Sequence, residues 1–227
     1  MPINSEHTLY LVRHGESTQN TGINRKERIP DHAIPLTERG HEQAQGAGQF
    51  LASVLANTYS RQIVLWNSPY FRTRETRDEI LRFIHPGMQK EDDMLTELQF
   101  GIFDSMEKDE IKKQFPAEWN AFQNNRRFNG KFYARRPGGE SPFDCEIRQK
   151  LFLDSLYRDI NNGTCPPHII IVGHGAQLNI LRKALFHYSH EWYESEPNPG
   201  NCSIMKVVLS SAGNKDAGYI YGAAVPD

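Results

Sequence analysis

The sequence predicts an α/β fold of three layers, an α/β/α sandwich with a mostly parallel central sheet and a small cap insertion. Short apolar runs typical of buried strands alternate along the chain with amphipathic helical stretches. No internal repeat, low-complexity segment or linker divides the 227 residues. We therefore expect a single domain over residues 1–227, with the cap insertion at about residues 98–139.

The first part of the chain predicts two buried strands and two helices. Residues 9–12 and 63–66 are short apolar runs, and each is followed by turn-forming residues. Thr37 is a suitable N-cap for an amphipathic helix that continues to about Leu55. A second helix is predicted from about residue 70 to 83, where His-Pro-Gly ends it.

The pattern weakens after Asp93 and becomes regular again only near Ser141. Between them, residues from about 98 to 139 hold short helical pieces, such as residues 107–115, and a Gly/Pro/Arg-rich stretch, which we interpret as the cap insertion. Ser141 is expected to begin a long helix to about residue 160, and residues 168–172 form the most strand-like run of the chain. A helix over 177–186 and a final pair of strands, 204–209 and 219–223, complete the prediction.

Composition excludes several classes of protein. The 26 Lys and Arg residues nearly balance the 28 Asp and Glu residues, for a net charge of −2, which argues against a general nucleic-acid binder. The sequence has neither a long apolar run nor a signal-peptide pattern, so no membrane association is expected. Three widely spaced cysteines, Cys145, Cys165 and Cys202, indicate reduced thiols and a cytoplasmic protein.

Two predicted strands end in His-Gly turns, which places chemically useful side chains together. His14 follows Arg13 at the end of the first strand, and His174 follows the strand at 168–172. In an α/β sheet, ligands bind at the carboxyl ends of the strands, next to helix N-termini. Arg72 falls in the first turn of the helix after the strand at 63–66. Two arginines and two histidines at one edge predict a pocket for a dianion, and phosphate is its natural occupant.

Glu97 supplies the acid that such a pocket needs. It lies in the weakly patterned segment at the beginning of the predicted insertion. A carboxyl group beside a phosphate is pushed toward its protonated form by the repulsion of like charges. It can then donate a proton to a departing alkoxide.

These segments, taken together, resemble the signature of the histidine phosphatase superfamily, in its phosphoglycerate mutase-like branch. They follow one another in the family's order and cover nearly the whole chain. The matching parts are residues 11–17 (LVRHGES) with Asn20, residues 68–76 (SPYFRTRET), Glu97 with Gly101 and Phe103, residues 137–141 (PGGES) and residues 172–175 (VGHG).

The resemblance implies a role for each catalytic residue. His14 would be the nucleophile that attacks phosphorus and becomes phosphohistidine. Arg13, Arg72 and His174 would hold the phosphoryl oxygens and offset charge in the transition state. Glu97 would protonate the leaving oxygen and then activate water.

The same resemblance implies two groups that bind substrate and no cofactor. Asn20 and the backbone N–H of Ala176 would each add a hydrogen bond to the phosphate. No metal ion is expected, because the cationic side chains take its place. The expected partner is a small phosphorylated substrate, while the substrate's identity and the oligomeric state stay open.

Three functions remain as alternatives. The favoured one is a phosphatase that passes the phosphoryl group from His14 to water, with fructose-2,6-bisphosphatase as one possible specificity. The second is a cofactor-dependent phosphoglycerate mutase-type phosphotransferase, which the third motif disfavours because Glu97-Leu-Gln-Phe-Gly101 lacks the Arg and Tyr of the mutases. The third is a protein that binds phosphate without turnover, which the presence of all five core residues disfavours.

One stretch, Arg126 to Arg136, mixes five basic with three aromatic residues in eleven positions. Such a mixture occurs in proteins that bind single-stranded nucleic acid. Because the stretch lies within the predicted insertion, we prefer two other interpretations. It is either a solvated loop whose aromatic residues dock on the body, or a cap that attracts an anionic substrate.

Overall fold

The central feature of the protein is a six-stranded sheet, seen in a computed structural model that describes residues 5–23 and 29–223. Its spatial order is β3–β2–β4–β1–β5–β6. The first four strands are parallel, β5 pairs antiparallel with β1, and β6 pairs antiparallel with β5. The strands are β1 (His7–Arg13), β2 (Ile63–Asn67), β3 (Met88–Glu91), β4 (His168–Gly173), β5 (Ile204–Leu209) and β6 (Lys215–Tyr221).

Helices cover both faces of the sheet, so the predicted three-layer α/β/α sandwich is confirmed. The helices are α1 (Glu38–Val54), α2 (Phe71–Ile80), α3 (Lys108–Gln114), α4 (Pro116–Asn129), α5 (Pro142–Asn161), α6 (Gly175–Phe186) and α7 (His190–Ser195). α5 and α6 pack on one face and α1 and α2 on the other. Over the described ranges, no helix is both long enough and apolar enough to cross a membrane.

The continuous apolar runs of the inner strands follow from their burial on both faces. Leu9 and Leu11 of β1 pack in the core beneath α5 and α6, whereas Tyr10 and Val12 pack in the core beneath α1 and α2. Successive side chains of a strand point to opposite faces, so a strand covered on both sides needs apolar residues at every position. β1, β4 and β2 run parallel to one another through the centre of the sheet, so their carboxyl ends meet at one edge.

Two predicted helix starts are confirmed in atomic detail. The Thr37 side chain caps α1 by accepting a hydrogen bond from the Gly40 N–H at 3.1 Å. Ser141 and Asp144 form a reciprocal capping box at the start of α5, in which each side chain accepts from the other residue's N–H. These caps satisfy N–H groups that the first turn of a helix leaves without acceptors.

Among the strands and α-helices, three were not predicted individually. β3 is an edge strand with no fully buried residue, so it lacks the apolar run by which a buried strand is recognised. α4 has Phe122 as its sole buried residue, so its apolar stripe is too thin to predict a helix. α7 is only six residues long. In addition, β6 begins at Lys215, earlier than predicted.

The segment at residues 98–139 has a small core of its own. Phe103, Ile111, Phe122 and Ala134 are buried together there. Within the basic and aromatic stretch, Phe132 is buried against the body of the protein, whereas Phe128 is 78% exposed. Arg135 forms an ion pair with Asp144. One aromatic residue of the stretch therefore docks on the body, as one of our two interpretations expects. Residues 126–129 end α4, however, instead of belonging to a loop.

The loop that carries His14 is locked against the first turn of α1 by two glycines. A Cβ atom on Gly40 would lie 2.0 Å from the Glu16 carbonyl oxygen, and one on Gly15 would lie 2.4 Å from the Gly40 carbonyl oxygen. Both neighbours are backbone atoms, which cannot turn away as a side chain can. Glycine is therefore required at both positions so that the loop and the helix can approach each other.

Replacing Gly40 by alanine is expected to lower the free energy of unfolding by roughly 3 kcal/mol, because the added methyl group forces two backbone segments apart. Urea denaturation measures the change. Gly46→Ala is the matched control on the same helix, since its new methyl group meets only the tip of the Tyr221 side chain. We expect the control to stay within about 1 kcal/mol of the wild type; equal losses in both variants would contradict the backbone contact.

Candidate active site

His14 follows the last residue of β1 and is buried, with 4% of its surface exposed. Its backbone N–H donates to the Gly173 carbonyl at 3.0 Å, which joins it to the end of β4. The ring nitrogen Nδ1 lies 2.7 Å from the Gly15 carbonyl oxygen. Since a carbonyl only accepts, Nδ1 carries the proton and Nε2 keeps its lone pair. Burial, together with the charges of Arg72 and Arg13, holds the pKa of His14 well below its usual range.

His174 comes directly after β4 and forms the N-cap of α6. The centre of its ring lies 5.3 Å from that of His14, and its Nδ1 accepts a hydrogen bond from Arg72 Nε at 3.2 Å. Its proton is therefore on Nε2, which lies 2.9 Å from the Ser68 hydroxyl oxygen. Burial and the charge of Arg72 lower the pKa of His174 well below its usual range, so both histidines are neutral near pH 7.

Arg72, the second residue of α2, has only 1% of its surface exposed. Its Nη1 nitrogen donates to two acceptors of one residue, the main-chain oxygen of Asp31 at 2.6 Å and the Asp31 carboxylate at 2.9 Å. The guanidinium carbon lies 5.1 Å from the centre of the Tyr70 ring. A buried guanidinium with this many contacts has a fixed orientation.

Arg13 is the last residue of β1 and is half-buried. Its Nη1 nitrogen donates to the Pro199 carbonyl at 2.6 Å, while its Nε nitrogen is buried without a partner among the residues that the structure describes. Burial lowers the pKa of Arg13, an effect that the nearby Glu97 carboxyl opposes. The side chain remains a cation, since an arginine titrates far above neutral pH.

The Glu97 carboxyl group is enclosed beside the two arginines. Its Oε1 atom accepts hydrogen bonds from two backbone N–H groups, Leu98 at 2.8 Å and Gln177 at 3.0 Å. Burial raises the pKa of Glu97 above its usual range, although these two bonds and the charge of Arg72 act in the opposite direction. With Oε1 fixed by the backbone, Oε2 is the oxygen on which a transferable proton would reside.

The two residues expected to bind substrate lie at the same edge of the sheet. Asn20 is exposed, and its Oδ1 atom accepts from the Ser17 N–H at 3.0 Å and from the Asn201 amide at 3.3 Å. Among the described residues, none accepts a hydrogen bond from the Asn20 amide N–H groups. Ala176 is the second residue of α6. Its N–H therefore belongs to the first turn of a helix, where N–H groups have no intrahelical acceptor.

Three residues of this region were not singled out by the sequence analysis. Ser68 contacts His174, Asp31 contacts Arg72, and Arg148 supports the Glu97 segment by donating to the Glu97 carbonyl at 3.0 Å. Arg148 is in turn held by the Glu140 carboxylate at 2.9 Å. Ser68 and Glu140 fall within the matched motifs.

Electrostatics favour an anion at this edge. Arg13 and Arg72 supply positive charge, while His14 and His174 are neutral acceptors or donors. Such an arrangement suits a phosphoryl group next to an uncharged nucleophile. Over residues 5–23 and 29–223, no three His, Cys, Asp or Glu side chains are grouped closely enough to hold a metal ion.

Curated relatives are similar in sequence to this chain over most of its length. The phosphoglycerate mutase-like protein AT74 of Arabidopsis thaliana is 34% identical over 218 residues, a match that covers 91% of this chain and 66% of that relative. The chain thus spans about two thirds of the length of AT74. The broad-range acid phosphatase DET1 of Saccharomyces cerevisiae is 25% identical, with 96% of this chain and 89% of that relative covered.

Solved structures share the fold. The alpha-ribazole phosphatase of Shigella flexneri superposes with a TM-score of 0.70 at 20% identity, covering 97% of this chain and 99% of that chain. A mycobacterial glucosyl-3-phosphoglycerate phosphatase, solved in complex with VO3, superposes with a TM-score of 0.70 at 19% identity, covering 96% and 100% of the two chains.

A family model extends over the whole region that carries the site. Residues 9–216 match the model described as histidine phosphatase superfamily, branch 1. The match includes His14, Arg72, Glu97 and His174, in the order in which the sequence motifs predicted them. The chain therefore belongs to the histidine phosphatase superfamily.

Proposed function

We propose that this protein is a phosphatase that hydrolyses a phosphomonoester through a phosphohistidine on His14, without a metal ion. The observation that supports this most is the state of the His14 ring. It is neutral, and its Nδ1 proton is held by the Gly15 carbonyl, so the Nε2 lone pair is available for attack.

In the first step, His14 Nε2 attacks phosphorus and forms a P–N bond as the P–O bond to the alcohol breaks. Arg13 and Arg72 bind the phosphoryl oxygens and offset their charge. The Glu97 carboxyl group, whose burial favours the protonated form by raising its pKa, gives its proton to the leaving alkoxide. The products are phosphohistidine, the free alcohol and a Glu97 carboxylate.

In the second step, water replaces the alcohol. The Glu97 carboxylate takes a proton from this water as its oxygen attacks phosphorus and the P–N bond breaks. Inorganic phosphate leaves, His14 returns to its neutral state, and Glu97 is protonated again. The same two arginines serve both steps. The alcohol oxygen leaves, and the water oxygen attacks, on the side of phosphorus that is opposite to His14, so the other phosphoryl oxygens stay beside the arginines.

The names of relatives support hydrolysis as the reaction, since they include a broad-range acid phosphatase and a glucosyl-3-phosphoglycerate phosphatase. A second candidate is phosphoryl transfer of the mutase type, because a 2,3-bisphosphoglycerate-dependent phosphoglycerate mutase of Gloeobacter violaceus is 27% identical over 189 residues. In that reaction the phosphohistidine would pass its phosphoryl group to a bound intermediate instead of water.

The purified wild-type protein is expected to release phosphate from one or more members of a phosphomonoester panel, and to do so equally well in EDTA. Rapid quenching with denaturant at alkaline pH should trap a phosphoprotein that loses its phosphate in acid, as phosphohistidine does. The panel includes 3-phosphoglycerate and 2,3-bisphosphoglycerate, so that phosphoryl transfer is scored as well. Activity lost in EDTA and restored by Mg²⁺ would contradict the mechanism, and conversion of 3-phosphoglycerate without phosphate release would favour the mutase.

A further inference from the structure

The guanidinium of Arg72 is only partly available to a substrate. Its Nε–H donates to His174, and its Nη1 arm donates to both the main-chain oxygen and the carboxylate of Asp31. The Nη2 arm makes no hydrogen bond within the part of the chain that the structure describes. An arginine usually offers a phosphate two parallel N–H groups from different nitrogens. Here one of those nitrogens is already bonded to a carboxylate.

We propose that Asp31 is an intramolecular ligand of Arg72, which keeps the Nη1 arm bonded to itself and weakens the binding of phosphoryl dianions in the pocket. Asp31 does not touch the reacting atoms, so it is a positioning residue. The proposal rests on the proposed function in one respect, namely that the pocket around His14 binds phosphoryl groups.

The position of Asp31 is set by its own backbone. It begins a short 3₁₀ helix, Asp31–Ala33, directly after Pro30. Its main-chain oxygen also accepts from Arg72, at 2.6 Å, so the backbone of Asp31 lies beside Nη1 and the carboxylate reaches the same nitrogen at 2.9 Å. The pair is well shielded from water, with 1% of the Arg72 side chain and 17% of the Asp31 side chain exposed. Charges in such surroundings interact more strongly than surface charges and are screened less by salt.

The charge of Asp31 also changes what a dianion meets in the pocket. Arg13 and Arg72 attract the phosphoryl oxygens, and the two neutral histidines add no charge. The Asp31 carboxylate, 2.9 Å from Nη1 of Arg72, offsets part of that attraction and repels the dianion directly. Its influence reaches the neighbouring carboxyl group as well, since Asp31 contributes to the raised pKa of Glu97.

Weaker binding of this kind is useful to a phosphatase. Contacts made equally with the substrate and the transition state lower KM without raising kcat. Inorganic phosphate carries the same oxygens as the substrate, so a pocket with both arms of Arg72 free would also retain its product. Asp31 therefore lowers the affinity of the pocket for the substrate and for inorganic phosphate alike.

The test compares three variants by calorimetric titration with inorganic phosphate near pH 8, where the ligand is a dianion. Asp31→Ala removes both the charge and the side-chain bond to Nη1, and we expect it to bind phosphate about tenfold more tightly than the wild type. Asp31→Asn keeps an oxygen that accepts from Nη1 and loses only the charge, so we expect a gain of about threefold. Asp78→Ala is the matched control, since it removes an exposed carboxylate paired with Arg77 on the same helix, α2. It should bind phosphate as the wild type does.

The direction of the change separates this proposal from a structural role. A residue that merely supports the fold weakens phosphate binding when it is removed, whereas the proposal requires tighter binding. The KM of Asp31→Ala for p-nitrophenyl phosphate should fall by the same factor as its phosphate dissociation constant. Phosphate binding that is unchanged or weaker in Asp31→Ala overturns the proposal. If that variant does not fold, the same criterion applies to Asp31→Asn.

Failure of the proposed function would look different. A wild-type protein that binds phosphate but releases none from any ester contradicts the phosphatase, yet it leaves the comparison of phosphate affinities fully valid. A wild-type protein that hydrolyses esters while Asp31→Ala binds phosphate no more tightly contradicts only the role of Asp31. A wild-type protein that binds no phosphate contradicts both.

Discussion

Replacing His14 by alanine is expected to lower kcat by roughly 10⁴-fold or more, because the P–N bond of the intermediate then has no atom on which to form. His174, the other histidine of the site, does not replace it. His174 uses Nδ1 to accept from Arg72 and directs its Nε2 proton at Ser68. Steady-state phosphate release and trapping of the phosphoprotein measure the loss, and the variant should form no acid-labile phosphoprotein.

A control for His14→Ala must remove an imidazole from the same sheet without touching the pocket. His168→Ala does so, since His168 begins β4, at the strand end opposite to His174, and stacks on Tyr10. We expect the control to keep a kcat within about threefold of the wild type, and circular dichroism should give the same folded spectrum for both variants. If purified His14→Ala retained wild-type turnover, His14 would not be the nucleophile.

Replacing Glu97 by glutamine is expected to lower kcat by about 10²–10³-fold for an alkyl phosphate, whose alkoxide leaving group needs a proton. The loss should be much smaller in the first step with p-nitrophenyl phosphate, because nitrophenolate is stable without protonation. Glutamine has nearly the shape of glutamate, and its side-chain oxygen still accepts from the N–H groups of Leu98 and Gln177. The change therefore removes the acidic proton of Glu97 and leaves the hydrogen bonds to the backbone in place.

The pH dependence gives a second measurement of the same group. Burial raises the pKa of Glu97, so the protonated form persists to a higher pH than an ordinary glutamate allows. Wild-type kcat/KM for the alkyl phosphate should fall as pH rises through this raised pKa and the acid is lost. That alkaline decline should be absent in Glu97→Gln.

The control for Glu97 is Glu118→Gln, which removes an exposed carboxylate on α4, within the segment at residues 98–139. Its rates should match the wild type with both esters and at every pH. Equal losses with the alkyl and nitrophenyl esters in Glu97→Gln would contradict a role in leaving-group protonation. An unchanged alkaline decline in that variant would assign the titration to another group.

The sequence was most informative where one element has one strong physical requirement. Residues 9–12 of β1 and 169–172 of β4 must be apolar because both faces of these strands are buried, and both runs are easily recognised in the sequence. Thr37 and Ser141 were recognised because hydroxyl side chains satisfy the first N–H groups of a helix. The edge location of His14 and His174 followed from a general property of parallel sheets, that the carboxyl ends of their strands meet at one edge.

Other parts of the structure left no such trace in the sequence. β3 is an exposed edge with the polar sequence MQKE, and α4 buries only Phe122. The contact between Asp31 and Arg72 joins residues 41 positions apart and depends on how a loop lies against α2. No spacing rule or residue preference specifies such an approach, because it arises from the packing of the whole domain.

The place of β4 within the sheet has a consequence for how the protein is made. β4 lies between β1 and β2, and the His14 N–H bonds to its last residue, Gly173. A ribosome releases β1 and β2 long before β4, so the early chain has a gap at the centre of its sheet. Contacts between segments so far apart along the chain form slowly. His14 therefore has no partner histidine until most of the chain has been synthesised, and a truncated translation product would carry the nucleophile without a pocket.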